Sequence, residues 1–426
     1  MRVLLLTHGT RGDVQPFVAL AKGLLAAGHE PRLGAPAALG PFVERCGVRF
    51  MPLDDGPNRM LDDPERLEPL LDSKSGHSRV RQTVMMLRMM REVRPAMARV
   101  LTDMASAAEG GADLVVHQAG IPGHHIAEYL GVPAVPVGLQ PVWVPTRAFP
   151  NPVLPVRVPA VCNRATYWLS TLASRSFAGV VDTWRRDTLG LPRRRYRHNP
   201  LRRPDGTPAT LLQAFSRHVV PPPADYPEWV HTTGFWFLDS GEDWAPPREL
   251  TEFLAAGQPP VFVGFGSMPN TDPDRVGELI VRAVRRAGLR AVLASGGGGL
   301  RVAGSTDDVL PVDQVPHDWM LPRSAAVIHA GGAGTTGAAA VAGLPQVVCP
   351  FHLEQRYWAQ RMHALGAAPE PSPTRDLDAD RLADTLRKAA NDHVWTRGAE
   401  ELAQRVRSEH GLTRAVTLLQ SHAPDA

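Results

Sequence analysis

The sequence predicts an α/β protein built from two doubly wound parallel-sheet domains. Three observations lead there: short apolar runs alternate with helix-period segments in the first half, a Pro- and Gly-rich stretch from about residue 214 to 260 interrupts them, and the alternation then restarts. A length of 426 residues, at roughly 150 per domain, fits two or three domains.

Residues 3–6 form a continuous apolar run of the kind a buried strand needs. A glycine-bracketed loop, Gly9 to Gly12, leads into a helix pattern over 16–27, with Pro16 suited to a first helical turn. Residues 31–34 and 37–46 repeat the strand–helix unit, and 113–116, 123–130 and 133–137 supply strand, helix and strand. Between them lie a polar loop over 53–78 and a helix over 83–101 rich in methionine. Its Met85, Met86, Met89, Met90 and Met97 suit either core packing or a deformable wall of an apolar pocket. After the run Pro221-Pro222-Pro223, strands are expected at 261–264, 290–294, 309–312, 325–328 and 346–348, and helices at 274–287 and 335–342. Residues 380–419 are helical in pattern, without a strand candidate, and can return toward the first domain. The expected division is an N-terminal domain over 1–215, a linker region over 216–259, a C-terminal domain over 260–400 and a C-terminal helix within 401–426.

Composition narrows the function classes. Hydrophobic residues at 43% and charged residues at 21% are those of a globular protein, and 38 Gly with 41 Pro call for many loops. Lys and Arg (46) barely outnumber Asp and Glu (43), so no global field points to nucleic acid. The basic stretch Arg193, Arg194, Arg195, Arg197, Arg202 and Arg203 reads as a solvated loop or as a dock for an anionic membrane surface or partner, a weak peripheral contact. Cys46, Cys162 and Cys349 are too far apart for a disulfide framework or a metal knuckle, which fits a reducing cytoplasm. The first residues hold no signal-peptide apolar region, and the uncharged stretches 130–146 and 325–353 are broken by Pro and Gly, so a soluble protein without a transmembrane segment is expected. His117, His124 and His125 lack metal-ligand spacing and read as packed or cleft-lining side chains.

The segment His329-Ala330-Gly331-Gly332-Ala333-Gly334-Thr335-Thr336-Gly337 follows a strand and opens a helix. Its small residues let backbone N–H groups and the helix N-terminus approach a phosphate, with Thr335 and Thr336 as further donors. It lacks the spacing of a GxGxxG fingerprint and the Gly-Lys-Ser/Thr of a kinase loop. Farther on, Glu354 and Gln355 stand side by side, suited to vicinal sugar hydroxyls or simply to a helix start. In the first domain Asp13 sits where the first strand gives way to the first helix, either capping that helix or presenting a base.

Gly9 to Pro16, Val315-Pro316-His317-Asp318-Trp319, His329 to Gly337 and Pro350 to Ala359 together resemble the family 1 nucleotide-sugar glycosyltransferases, in particular the sterol-glucosyltransferase-like and bacterial antibiotic branches. The resemblance extends to Thr146-Arg147-Ala148-Phe149-Pro150 and Phe265-Gly266-Ser267-Met268, and covers nearly the whole chain. It implies the GT-B architecture: two facing Rossmann-like domains with an interdomain cleft, the acceptor on the N-terminal domain and the nucleotide sugar on the C-terminal one. It also implies roles. Asp13 is the catalytic base. His329, Gly331, Gly332, Gly334 and Thr335 meet the diphosphate, Ser267 faces the donor phosphates, Val315 begins the stretch lining the nucleobase, and Glu354 with Gln355 holds the hexose, Glu standing where relatives have Asp. Met85, Met89 and Trp143 are the candidate acceptor contacts.

The chemistry expected is an inverting single displacement. No metal and no cofactor are expected, the nucleotide sugar being a co-substrate. Negative charge on the leaving diphosphate can rest on a helix N-terminus, and the acceptor hydroxyl can pass its proton to Asp13. The expected pair is a UDP- or dTDP-hexose and a hydroxyl of a lipophilic polyketide, macrolide or sterol-like molecule. A catalytically silent auxiliary homologue and a nucleotide-sugar epimerase remain alternatives, and the presence of Asp13, His329 and Gln355 speaks against silence.

Overall fold

The computed structural model describes residues 1–61, 79–154, 158–241, 244–266, 272–295, 300–302, 304–351, 353–391 and 393–422, without the side chains of 61, 79–91, 353, 375, 393 and 394. The chain divides into two units: Met1–Phe215, Pro222–Leu238 and His410–Ala426 form the first, Ser216–Pro221 and Asp239–Glu409 the second.

The first unit runs β1 (Arg2–Leu6), α1 (Arg11–Ala26), β2 (Glu30–Pro36), α2 (Gly40–Arg45), β3 (Arg49–Leu53), α3 (Gly56–Leu61), α4 (Arg79–Ala108), β4 (Leu114–Gln118), α5 (His124–Leu130), β5 (Ala134–Gly138), α6 (Trp168–Arg175), α7 (Ala178–Asp187), β6 (Leu211–Gln213) and β7 (Val230–Thr232). The second holds α8 (Arg248–Ala255), β8 (Val261–Gly264), α9 (Pro273–Ala287), β9 (Ala291–Ala294), β10 (Val309–Val312), α10 (His317–Met320), β11 (Ala326–His329), α11 (Ala333–Ala342), β12 (Gln346–Val348), α12 (Leu353–Ala364), α13 (Ala379–Asn391) and α14 (His393–Arg407). The last helix, α15 (Gly411–Gln420), belongs to the first unit.

Both sheets are parallel, ordered β3-β2-β1-β4-β5-β6-β7 and β10-β9-β8-β11-β12. Helices cover both faces, so successive strand residues must all be apolar. Val3 and Leu5 enter one core cluster while Leu4 and Leu6 enter the other. Val261 and Val263 part from Phe262 in the same way in the second sheet. Each such side chain, fully removed from water, contributes about 2 kcal/mol. Strand order reverses at β1/β4 and at β8/β11; in open α/β sheets the loops leaving such carboxyl ends diverge, and ligands bind in the crevice between them.

Several elements differ from expectation. Helix α1 starts at Arg11, five residues before Pro16, because Thr10 caps it and Asp13 fills the third helical position. The carbonyl that Pro16 cannot satisfy belongs to exposed Gly12, which water can reach. Within the expected loop 53–78, residues 56–61 are helical and 62–78 lie outside the described residues. The expected linker 216–259 contains β7, paired to β6, and α8, and the units part at 238/239. Helix α14 runs through 401, and the later parting falls at 409/410. Ala415, Val416 and Leu419 of α15 share a core cluster with Val18, Ala21 and Leu24 of α1.

Candidate active site

At the first switch point the backbone turns from β1 into α1. Thr10 donates to Oδ2 of Asp13 from its backbone N–H (3.0 Å) and its hydroxyl (3.3 Å). Oδ1 accepts from Nε2 of Gln118 (3.1 Å), the last residue of β4. Leu6 stands opposite His117 in the β1–β4 register, which brings Gln118 across to the loop. Gly9 has φ +137°, and a Cβ there would overlap the Asp13 carboxylate. Asn58 steadies the same loop by donating to the Gly9 carbonyl (2.7 Å). Burial raises the Asp13 carboxyl above its usual range, partly offset by the bonds from Thr10 and Gln118. A carboxylate in that state is a better proton acceptor than a solvated one. Capping and base roles are therefore compatible.

At the second switch point β11 ends in His329, 1% exposed. Gln346 donates to the Thr336 carbonyl (3.3 Å) from its amide nitrogen, so its oxygen faces His329 Nε2 at 3.0 Å and the ring proton sits on Nε2. Gly331 N–H donates to Nδ1 (3.0 Å). Burial lowers this imidazole to about 4, leaving it neutral. His329 was expected on the diphosphate. Both its ring nitrogens are instead committed, Nε2 to Gln346 of β12 and Nδ1 to Gly331 of the loop. Gly331 has φ +93°, and a Cβ would lie 2.8 Å from the Gln355 carbonyl oxygen and 2.9 Å from Val348 Cγ1. Around Gly332 and Gly334, by contrast, an added Cβ would meet nothing within 4 Å. Helix α11 begins here without an acidic residue in its first turn, its leading N–H groups unpaired within the helix. Thr335 is half-buried in that turn, and Thr336 is buried with an unpartnered hydroxyl. Gln355 is buried, its side-chain oxygen accepting Phe351 N–H (2.7 Å), and Glu354 is half-buried beside it in the first turn of α12. The structure thus gathers His329, Gly331, Gly332, Gly334, Thr335 and Gln355 around one helix N-terminus, a ready site for an anion.

Comparison with known proteins agrees with both halves. Residues 3–142 match the glycosyltransferase family 28 N-terminal domain, and residues 297–419 the erythromycin biosynthesis protein CIII-like C-terminal domain. Over 439 residues the chain is 36% identical to the O-mycaminosyltylonolide 6-deoxyallosyltransferase of Streptomyces fradiae, covering 99% of this chain and 98% of that one. The chain belongs to the family 1 nucleotide-sugar glycosyltransferases. It is also 34% identical to a sterol 3-beta-glucosyltransferase of Arabidopsis thaliana and 33% to one of Emericella nidulans, spanning 66% and 29% of those longer chains. The glycosyltransferase of kitacinnamycin (TM-score 0.71, 18% identity) and glycosyltransferase VinC in complex with dTDP (TM-score 0.68, 21% identity) each align over 99% of both chains. The fold is GT-B.

Of the other candidate residues of this chain, three have side chains that are not described. Ser267 lies outside the described residues, as do the side chains of Met85 and Met89 on α4. Val315, expected at the nucleobase, is packed among Leu250, Phe262, Val292 and Leu310, so only its backbone is left to meet a ligand. Trp143 is half-buried against Val144, Leu201 and Leu211. Nearby in sequence, Thr146 and the Arg147 N–H both donate to Asp225 (2.6 and 2.9 Å), which holds this turn. Arg147, Ala160, Val161, Arg164 and Ala165 line an open hollow. Two of the six arginines of the basic stretch form ion pairs inside their unit, and two more stack on a tyrosine there. Arg194 pairs with Glu128 (2.9 Å), Arg197 with Asp182 (2.6 Å), and Arg195 and Arg202 stack on Tyr196, which weakens the stretch's reading as a membrane dock. No helix among the described residues is long and apolar enough to cross a membrane. Gln118, Gln346 and Asp225 were not anticipated. A polar residue closing an apolar strand was the available signal for Gln118.

His117, His124 and His125 are packed, with ring centroids 5.7 and 4.0 Å apart along the series. His125 Nδ1 accepts from Arg185 (2.6 Å), which also pairs with Glu128 (2.7 Å). Burial lowers His117 and His125 to about 4. Unfolded histidines titrate near 6.5, so as pH falls the unfolded chain takes up protons first. Stability is complete above that pH and declines between about 6.5 and 4, by up to about 3 kcal/mol for each of His117, His125 and His329. Calorimetric Tm should therefore drop steadily from about pH 7 to 5; a flat profile would contradict neutral, buried rings.

Proposed function

We propose that this chain transfers a hexose from a UDP- or dTDP-sugar to a hydroxyl of a lipophilic small molecule, a polyketide, macrolide or sterol-like compound, with inversion and without a metal. The observation carrying this reading is the Asp13 carboxylate in the first turn of α1, just beyond β1, partly buried and hydrogen-bonded by the neutral donors Thr10 and Gln118. The acceptor oxygen bonds to the anomeric carbon as its proton passes to Asp13, and the bond from that carbon to the diphosphate breaks. The charge that leaves with the nucleotide is stabilised by the α11 N-terminus and Thr335. Glu354 and Gln355 hold the hexose in this reading. The full-length relative from Streptomyces fradiae and the plant sterol enzyme, whose names carry a macrolide-type and a sterol acceptor, support the acceptor class. A soluble cytoplasmic location is part of the same proposal.

Incubation with UDP-glucose or a dTDP-hexose and a panel of sterols, macrolides, flavonoids, aminoglycosides and peptides, read by mass spectrometry for an added hexose in EDTA, tests it. Hexosylation of a sterol or macrolide is expected. Exclusive use of aminoglycosides or peptides, or an absolute metal requirement, would defeat the reading. Thr335→Ala is expected to weaken UDP binding by about 1–3 kcal/mol, the scale of a hydrogen bond to a charged group. Titration calorimetry with UDP checks this.

A further inference from the structure

The side chains of Thr7, Gln118 and Asp13 form a hydrogen-bonded chain of fixed polarity. Gln118 Oε1 accepts from the Thr7 hydroxyl (2.9 Å) and from the backbone N–H of His8 (3.1 Å). A backbone N–H can only donate, so the oxygen end of the amide must face it and the amide cannot flip. Nε2 is thereby aimed at Asp13 Oδ1, 3.1 Å away. Thr7 is fully buried, which keeps water from competing for Gln118 from that side. The two carboxylate oxygens are unequal as a result. Oδ2 takes both the N–H and the hydroxyl of Thr10 and abuts Gly9, whereas Oδ1 takes Gln118 alone.

The geometry points to Gln118 as a positioning residue for the base: locked by Thr7 and His8, it orients the Asp13 carboxylate and leaves Oδ1 as the oxygen that receives the acceptor proton. This rests on the proposed role of Asp13. With two lone-pair positions per oxygen, Oδ2 is filled and Oδ1 keeps one open. The chemistry also favours an amide here. Burial raises the Asp13 carboxyl, and the bonds from Thr10 and Gln118, with the nearby His8, pull it back down; an amide does so without cancelling the carboxylate's charge.

The test is the titration of Asp13 itself, followed by NMR in protein labelled with ¹³C at the aspartate carboxyl carbons and assigned by the resonance lost in Asp13→Asn. Gln118→Leu is expected to raise the Asp13 midpoint by about one pH unit, and the near-isosteric Gln118→Glu, which sets a second carboxylate beside it, by more. The acid limb of kcat/KM, measured with the donor–acceptor pair found in the panel, should move with the midpoint. A merely structural Gln118 would lower activity or Tm without moving either. An unmoved midpoint in the folded Gln118→Leu variant overturns the inference while leaving Asp13 as base untouched. Wild-type turnover in Asp13→Asn would instead overturn the base reading, and the role of Gln118 with it.

Discussion

Asp13→Asn is expected to slow turnover by about 10²–10⁴-fold, the usual loss when a general base is removed, while affinity for the nucleotide changes little. The substitution keeps size and shape, and an Asn oxygen can still accept from Thr10, so α1 remains capped. What is lost is the capacity to take a proton. There is a secondary effect. The Asn amide nitrogen would face Gln118 Nε2, donor against donor, and the locked Gln118 cannot turn to relieve it. A stability loss of about 1–2 kcal/mol follows from that unmade bond. Turnover and calorimetric Tm on the same preparation separate the two effects. If the folded variant turned over at the wild-type rate, Asp13 would be a helix cap and nothing more.

Gly331→Ala should lower stability and, by displacing the loop, weaken UDP binding by about 1–3 kcal/mol. At φ +93° a side chain carries a backbone penalty of about 1–2 kcal/mol. Its Cβ would also press on the Gln355 carbonyl and on Val348, both set by strand and helix packing, so the loop itself must shift. Such a shift breaks the bond from Gly331 N–H to His329 and displaces the amides that would face the diphosphate. Gly334→Ala is the informative companion. Its Cβ has open space, so Tm should hold, and any fall in affinity comes from crowding the ligand directly. Calorimetry with UDP on both variants decides it, and unchanged affinity in both would remove the loop from the donor site.

Much of this molecule is written locally. The runs at Val3–Leu6 and Val261–Gly264 are apolar at every position because both faces of each sheet are covered, and that makes doubly wound topology legible without coordinates. The small residues from Gly331 to Gly334 announce a close backbone approach for the same reason: the constraint acts on the residues that show it. Short elements leave no such trace. The three residues of β7 are too few to display a period, and only their pairing with β6 makes them a strand. Side-chain partnership is less visible still. Gln118 reaches Asp13 across 105 positions of sequence, His329 is silenced by Gln346 from the next strand, and Arg194 and Arg197 find Glu128 and Asp182 on neighbouring helices. Sequence alone therefore determined the sheet order's class, the glycine loop and the identity of the candidate base. The tertiary structure decided which oxygen of that base stays open, which ring nitrogens are spent and which charges are neutralised, because hydrogen bonds and ion pairs depend on distances of a few ångströms that only the packing of remote segments sets.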